Sequence, residues 1–475
     1  MPEKCDKVLL INPPESGRGN YSSSPLGLLY CASILQRENI PVRITDGFID
    51  GWDALFEKTL EFKPTIIGIA CPTYARSKSL KVAREVKREL PHSKIILGGP
   101  HPTIMGSQLL EKYDFIDMVA IGESEFLIPD ICNGLKYSDI PGLGFRKNSQ
   151  VVLNTKRANI EDLDSVPFPA LDLIDPRKYL TDDRGFFEGV NLDSEPCAFV
   201  TFSRGCVGNC NFCSNKLMWN RWRNRSPKNM ADEIESVNKK YGIRHFHFND
   251  DCFSANPKAA ADLCYEITKR GLKIYFDIVT RADCITEDLL KKLKQAGCYR
   301  VSFGIETASP RLLKIMGKPV SMTKAIEAIN RTANSGMQAD VFIIAGCLGE
   351  TWESVNETID FLGKITPSKV CVGPGMMVFP GTRLYEHAKK EDFISDDFWL
   401  SDYNWKIYTR ENSRLMLNVY AEAIRRRKKL SGNYLLNITR YHRFLTKEIE
   451  YKIKEMLTGL GLRRKAKNSK YKISY

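Results

Sequence analysis

The sequence predicts an α/β protein in two successive parts, and three observations carry that prediction. Short apolar runs alternate with amphipathic stretches over the first 140 residues. The same alternation resumes near residue 191, and three cysteines crowd the loop after the first strand of this second series. Strands alternating with helical patterns mean a parallel sheet with crossover helices. At 475 residues the chain also exceeds one ordinary core, so two or three domains are expected.

In residues 1–140 "KVLLIN" (Lys7–Asn12) reads as the first strand. "SPLGLLYCASILQREN" follows as a helix, with Ser24 as N-cap and Pro25 at the first helical position. "VRITDG", "IIGIAC", "KIILGG" and "MVAIGE" continue the strands, giving a doubly wound, Rossmann-like sheet. Ligands of such sheets sit outside the carboxyl ends of the strands. That singles out Asn12-Pro13, Thr73-Tyr74, Gly98-Gly99 with His101, and Gly122-Glu123. Tight turns would explain any one of these; their recurrence at successive strand ends points to a ligand.

Residues 141–190, rich in Pro and Asp, read as a linker. Residues 191–400 hold six strand candidates: "CAFVTF", "RHFHF", "KIYFDIV", "YRVSFG", "ADVFIIAG" and "KVCVGPGMMVF". Six βα units suggest a partial (β/α)6 barrel, whose chemistry belongs at the carboxyl ends of its strands. Residues 401–475 turn helical and basic.

A content of 43% hydrophobic, 10% aromatic and 27% charged residues excludes a disordered majority. The N-terminal apolar run is too short for a signal peptide, and no stretch reaches the ~18 apolar residues of a membrane span. The expected location is the cytoplasm, where fourteen cysteines serve as ligands or core residues rather than disulfides. Of the net charge of +13, residues 421–475 carry +12 (sixteen Lys or Arg against four Glu), so the body is nearly neutral. That tail suits a solvated end, peripheral contact with an anionic membrane, or non-specific nucleic-acid contact. Specific nucleic-acid binding is not expected. "MWNRWRNRSP" (Met218–Pro227) reads better as a flap with solvated or paired arginines than as a stacking groove.

The stretch "TFSRGCVGNCNFCSN" places Cys206, Cys210 and Cys213 as C-x3-C-x2-C with no fourth cysteine at hand. A structural zinc site closes with four protein ligands. A 4Fe–4S cluster normally takes four thiolates, so three leave one iron open, and an open position marks a catalytic metal. Phe212 is placed to shield the cluster from water.

The motif, with Phe212 before its last cysteine, resembles the signature of the radical S-adenosylmethionine (SAM) enzymes. The resemblance implies that the open iron binds SAM and that electron transfer yields a 5'-deoxyadenosyl radical. "FHFNDDCF" is similar to the segment meeting the amino acid end of SAM, with Asp250 and Asp251 as candidates. The run from Thr280 to Lys318 implies Arg281, Gly304 and Glu306 as SAM contacts. In "AGCLGET", Cys347-Leu348 stands where the family pattern has a proline, and Cys347 is a candidate hydrogen donor. "INPP", "GIACPT", "LGGPHPT" and "VAIGESE" resemble the cobalamin-binding domain fused to many of these enzymes. The D-x-H-x-x-G stretch that supplies a histidine to cobalt is absent. The lower cobalt face would meet Thr73, Tyr74 and Arg76, and His101 would bond the nucleotide tail or turn backbone, or serve a purely structural role.

The resemblance thus implies a cobalamin-dependent radical SAM enzyme that methylates an unactivated carbon, with a 4Fe–4S cluster, SAM and cobalamin. Its partners would be a small-molecule, lipid or peptide substrate and an electron donor such as a flavodoxin or ferredoxin. Three alternatives stay open: a cyclase or rearrangement enzyme using cobalamin for electron transfer, a methylthiotransferase, and a cobalamin-binding sensor with a structural cluster.

Overall fold

Pairing follows the apolar runs. The computed structural model describes residues 7–14, 23–181, 184–401 and 407–408. Strands β1 (Val8–Asn12), β2 (Val42–Asp46), β3 (Ile66–Ala70), β4 (Lys94–Gly98) and β5 (Met118–Ala120) form a parallel sheet in the order β2-β1-β3-β4-β5. Buried Val, Leu and Ile fill both of its faces, as a sheet covered on both sides requires. Helices α1 (Leu26–Arg37), α2 (Gly47–Phe62), α3 (Arg76–Glu89) and α4 (Pro100–Lys112) make the crossovers. Strand order reverses between β2-β1 and β3-β4, so the switch point lies at the carboxyl ends of β1 and β3.

Two expectations are corrected here. Ser24 does not cap α1. The helix starts at Leu26, the Pro25 carbonyl accepts from the Leu28 and Leu29 N–H groups, and the buried Ser24 hydroxyl finds no partner among the described residues. Residues 143–153 are not linker. They form an antiparallel hairpin, β6 (Leu143–Lys147) and β7 (Gln150–Leu153), that extends the sheet past β5. Its turn residues, Asn148 and Ser149, both have positive φ, the two-residue hairpin geometry that Asn tolerates.

The second series gives β8 (Cys197–Val200), β9 (His245–Phe248), β10 (Tyr275–Thr280), β11 (Cys298–Glu306), β12 (Gln338–Ala345) and β13 (Lys369–Pro374). These six pair in parallel and in chain order as an open partial barrel with β8 and β13 at its edges. The helices that follow are α5 (Leu127–Cys132), α6 (Asn215–Trp219), α7 (Pro227–Tyr241), α8 (Pro257–Lys269), α9 (Glu287–Gln295), α10 (Pro310–Ile315), α11 (Met322–Asn334), α12 (Trp352–Gly363), α13 (Arg383–Lys390) and α14 (Asp396–Trp399).

The two parts share cores. One apolar cluster joins Leu26, Leu29 and Tyr30 of α1 to Phe199, Phe246 and Phe276 of the barrel. Another joins Leu9 and Ile67 of the first sheet to Leu384, Phe398 and Trp399, so the chain leaving the barrel packs back on the first sheet. Of the expected helical region at 401–475, residues 402–406 and 409–475 lie outside the described residues. Ile407–Tyr408 pairs antiparallel with Met376–Met377. No helix among the described residues is long and apolar enough to cross a membrane.

Candidate active site

The loop after β8 carries Cys206, Cys210 and Cys213 at the carboxyl end of the barrel. Gly208 runs between them. A Cβ there would stand 3.4 Å from Cys206 Sγ, 3.7 Å from Cys210 Sγ and 3.2 Å from Arg281 Nη1. Its N–H donates to Cys206 Sγ at 3.3 Å, an N–H···S bond of the kind that tunes iron–sulfur clusters. Gly205 has φ +95, and a Cβ there would meet the Arg221 carbonyl at 2.5 Å, so only glycine fits.

Burial pushes the Cys213 thiol up to about 11 and raises Cys210. Cys206 is raised by a hydrogen bond with the Cys252 thiol and then by burial. Metal-free, these thiols are protonated, so iron loading must expel protons. Lys318 and Arg281 pull Cys210 back toward thiolate. Among the described residues no three His, Cys, Asp or Glu side chains converge as ligands of one ion would. Thiols spread around a glycine, with two cations behind them, fit a cluster in which each thiolate meets a different iron.

Around this loop the expected SAM residues separate. Arg281 lies against Gly208, held by Asp283 at 2.7 Å and the Pro319 carbonyl at 3.1 Å. Glu306, with φ +68 at the end of β11, pairs with Lys318 at 2.7 Å. A Cβ on Gly304 would fall 2.7 Å from the Glu306 carboxylate, so glycine makes room for that pair. Asp251 is exposed near Gly205 and Asn215. Asp250 is not at the surface of the site. Its buried carboxylate accepts from Phe202 N–H (3.1 Å), Ser203 N–H (2.5 Å) and the Ser203 hydroxyl, pinning the start of the cysteine loop. Phe212 packs into the apolar cluster with Leu312 and Met316. Cys347 is fully buried in the same cluster and donates to the Ile344 carbonyl, with burial pushing its thiol well up.

Two thiols read from the sequence as core prove to be neighbours of the site. Cys252 touches both Cys206 and Cys284, and Cys284 is only half-buried. Lys318 was also missed, although it ends the quoted run of the third and fourth strands.

The barrel lumen opens beside the loop. Register partners in parallel strands share a face, so Gly304, Phe342 and Cys371 line it together. Phe342 is 36% exposed although it lies mid-strand between buried Val341 and Ile343. Below, a buried network closes the floor. Asp277 accepts from Tyr299 (3.0 Å), pairs with His247 (3.0 Å) and faces Arg184 (3.5 Å).

At the first sheet, Gly99 (φ +104) and Gly122 (φ +83) turn the backbone at the ends of β4 and β5, and Gly98 ends β4. Pro13 and Thr73 are buried and Tyr74 is exposed at the β1 and β3 ends. His101 is fully buried against Trp399, whose backbone also lies within hydrogen-bonding reach of the ring. Burial drives its pKa down to about 3. Three expected cobalamin contacts are committed elsewhere. Asn12 donates to Asp46 (2.8 Å), which also accepts from Tyr179 (2.6 Å). Arg76 is fully buried and donates to the Trp399 and Phe398 carbonyls, each at 2.9 Å, under the Trp399 ring. Its guanidinium therefore anchors α14 rather than a ligand.

Glu123 is the third. Its buried carboxylate accepts from Arg204 (2.6 Å), Arg223 (2.9 Å) and the Ile160 N–H (2.7 Å), while Arg204 also pairs with Glu125 (2.7 Å). Arg204 stands two residues before Cys206, on a short ribbon with Arg223. This four-charge clasp ties the end of β5 to the cysteine loop. The remaining arginines of the flap are likewise paired, Arg221 with Glu161 and Arg225 with Glu233.

A doubly wound sheet clasped to a partial barrel with three thiols at its mouth defines an enzyme of two cofactor domains. Comparison with known proteins agrees. The Radical SAM superfamily model matches residues 200–362 and the B12 binding domain model residues 19–131. An uncharacterized methyltransferase of Pyrococcus horikoshii is 32% identical over 419 residues, covering 86% of this chain and 87% of the relative. An anaerobic magnesium-protoporphyrin IX monomethyl ester cyclase of Cereibacter sphaeroides is 29% identical over 372 residues, covering 74% of this chain but only 59% of its own length. The solved structure of the cobalamin-dependent SAM radical enzyme OxsB, with aqua-cobalamin and SAM bound, shares the fold at TM-score 0.73 and 18% identity, covering 88% of this chain and 66% of that one. The chain belongs to the radical SAM enzymes that carry a cobalamin-binding domain. That family works with a 4Fe–4S cluster, SAM and cobalamin. The three thiols fit the first. The turned glycines Gly99 and Gly122 fit a ligand at the first sheet's strand ends.

Proposed function

We propose that this enzyme is a cobalamin-dependent methyltransferase that adds a methyl group to an unactivated carbon. The observation that supports this most is the Glu123–Arg204–Arg223 clasp, which fastens the strand end of one cofactor domain to the metal loop of the other. When bound, the cluster would reduce SAM to a carbon-centred radical source and cobalamin would supply the methyl group. Cys206, Cys210 and Cys213 would hold the cluster. Arg281 and the Glu306–Lys318 pair would orient the amino acid end of SAM, with Asp251 beside them. The lumen would take the substrate, a small molecule, lipid or peptide, with Phe342 excluding water and the Asp277 network sealing the floor. A flavodoxin- or ferredoxin-like donor, a cytoplasmic location and contact of the basic 421–475 region with anionic lipid complete the reading.

The test is incubation of the reconstituted enzyme with methyl-deuterated SAM and cell extract, followed by mass analysis of products. A product gaining one methylene unit, with the label, supports methylation. The cyclase relative favours a second reading, ring closure. It predicts a product that loses hydrogen and gains no label.

A further inference from the structure

The cysteine loop is not covered on all sides. Val207, next to Cys206, is 52% exposed, and Asn209 is exposed two residues on. Two other segments frame this opening. Asn211 N–H donates to the Met316 carbonyl (2.8 Å), and its side-chain amide donates to Ile315 O (2.7 Å). On the other flank Leu384 N–H donates to Asn211 O (3.0 Å), and Arg383 donates to the Asn209 carbonyl. Gly317, with φ +64, lets them close up: a Cβ there would stand 3.0 Å from Asn209 O.

Val207 on the loop and Ile315 on α10 (38% exposed) are exposed apolar side chains, and Arg311 and Lys314 on α10 and Arg383 on α13 are exposed cations, Arg311 donating to the Gly349 carbonyl at 2.7 Å. A shallow cavity of about 540 Å³ opens along α10, lined by Pro310, Leu313, Lys314, Pro319 and Val320. Asp283 is held by Arg281 and Glu306 by Lys318, while Glu386 on α13, Glu353 on α12 and Asp251 are exposed.

We propose that this face docks an acidic one-electron carrier protein, which passes its electron through the Cys206–Val207 edge of the loop. The proposal rests on the cluster reading above. One electron leaves the carrier's reduced centre and enters the cluster, with no bond or proton moved. Electron-transfer encounters are small and transient, steered by complementary charge around a modest apolar contact. The exposed cations on α10 and α13 favour an acidic occupant. The chain's own 421–475 segment, at +12, has the wrong sign to cover it.

The test compares wild type with Lys314→Glu and Lys314→Glu/Arg311→Glu, each loaded with its cluster. Reduction is followed anaerobically by absorbance, with reduced flavodoxin as the probe and dithionite as the control. The bimolecular rate with flavodoxin should fall about tenfold or more in the double variant, and its salt dependence should flatten. The extent of reduction by dithionite and uncoupled SAM cleavage should match wild type. An unchanged flavodoxin rate overturns the proposal, and so does a parallel loss with dithionite, which would place the defect in the cluster itself. A wild-type protein whose iron dithionite cannot reduce would instead count against the cluster reading.

Discussion

Replacing Glu123 by alanine strands two buried arginines. Arg204 keeps Glu125 at 2.7 Å, whereas Arg223 loses the one carboxylate it pairs with among the described residues and keeps the Ile160 carbonyl. Removing one partner of a buried pair costs about 3–5 kcal/mol. The surviving Glu125 contact places this clasp toward the low end, and the orphaned Ile160 N–H adds about 1 kcal/mol, so about 4 kcal/mol is expected. Glu123→Ala/Arg223→Met removes both charges of the worst-stranded pair. It should recover about half of the loss, because an apolar replacement of a buried pair is often nearly neutral. The assay is urea unfolding of the cluster-loaded protein, followed at once by tryptophan fluorescence and by iron release. In Glu123→Ala iron should be lost at lower urea than in wild type, since Arg204 stands two residues from Cys206. A single variant within about 1 kcal/mol of wild type, or a double variant worse than the single, would refute the clasp as a buried charge network.

Other outcomes follow from the same geometry. Gly304→Ala pushes a methyl against the Glu306 carboxylate and splits it from Lys318; SAM binding by calorimetry should weaken about tenfold or more while iron content stays at the wild-type value. Cys347→Ala should keep cluster, SAM cleavage and turnover, because that thiol is buried and bonded to its own strand; loss of turnover alone, with SAM cleavage kept, would restore it as a hydrogen donor. His101 and His245, buried with pKa values driven down by desolvation to about 3 and about 4, favour the fold only while neutral. Their contribution is complete above the unfolded value near 6.5 and is lost as pH falls toward the folded values, about 2.5 kcal/mol for each by pH 4.5. Stability measured from pH 7 to 4.5 should therefore fall less steeply in His101→Gln than in wild type.

Most of the parallel strands were legible because they are short runs of β-branched, aliphatic or aromatic residues, many closed by Gly or Pro, and the metal loop because its spacing is local. The hairpin at 143–153 was passed over since the prolines and aspartates flanking it outweighed "GFRKNSQVVL", whose Asn-Ser pair is a turn signal. Other failures share one cause. Glu123 meets Arg204 and Arg223 across 81 and 100 residues, and Arg76 meets Trp399 across 323. Partnership at such separation is set by domain packing, which no local pattern encodes. So a carboxylate at a strand end looked like a ligand contact, and an arginine opening a helix looked like a floor for cobalt. Cys252 and Cys284 misled in the opposite direction, because apolar neighbours in sequence concealed their approach to Cys206.

The most direct test of the central claim is the count of iron, sulfide and cobalt per chain after anaerobic purification with cobalamin supplied, on wild type and on the Cys206→Ala/Cys210→Ala/Cys213→Ala variant. The account predicts about four irons and one cobalamin in wild type, and a variant that loses its iron but keeps its cobalamin. Iron retained by the variant, or a wild-type protein that binds the cluster and takes up no cobalamin, would contradict it.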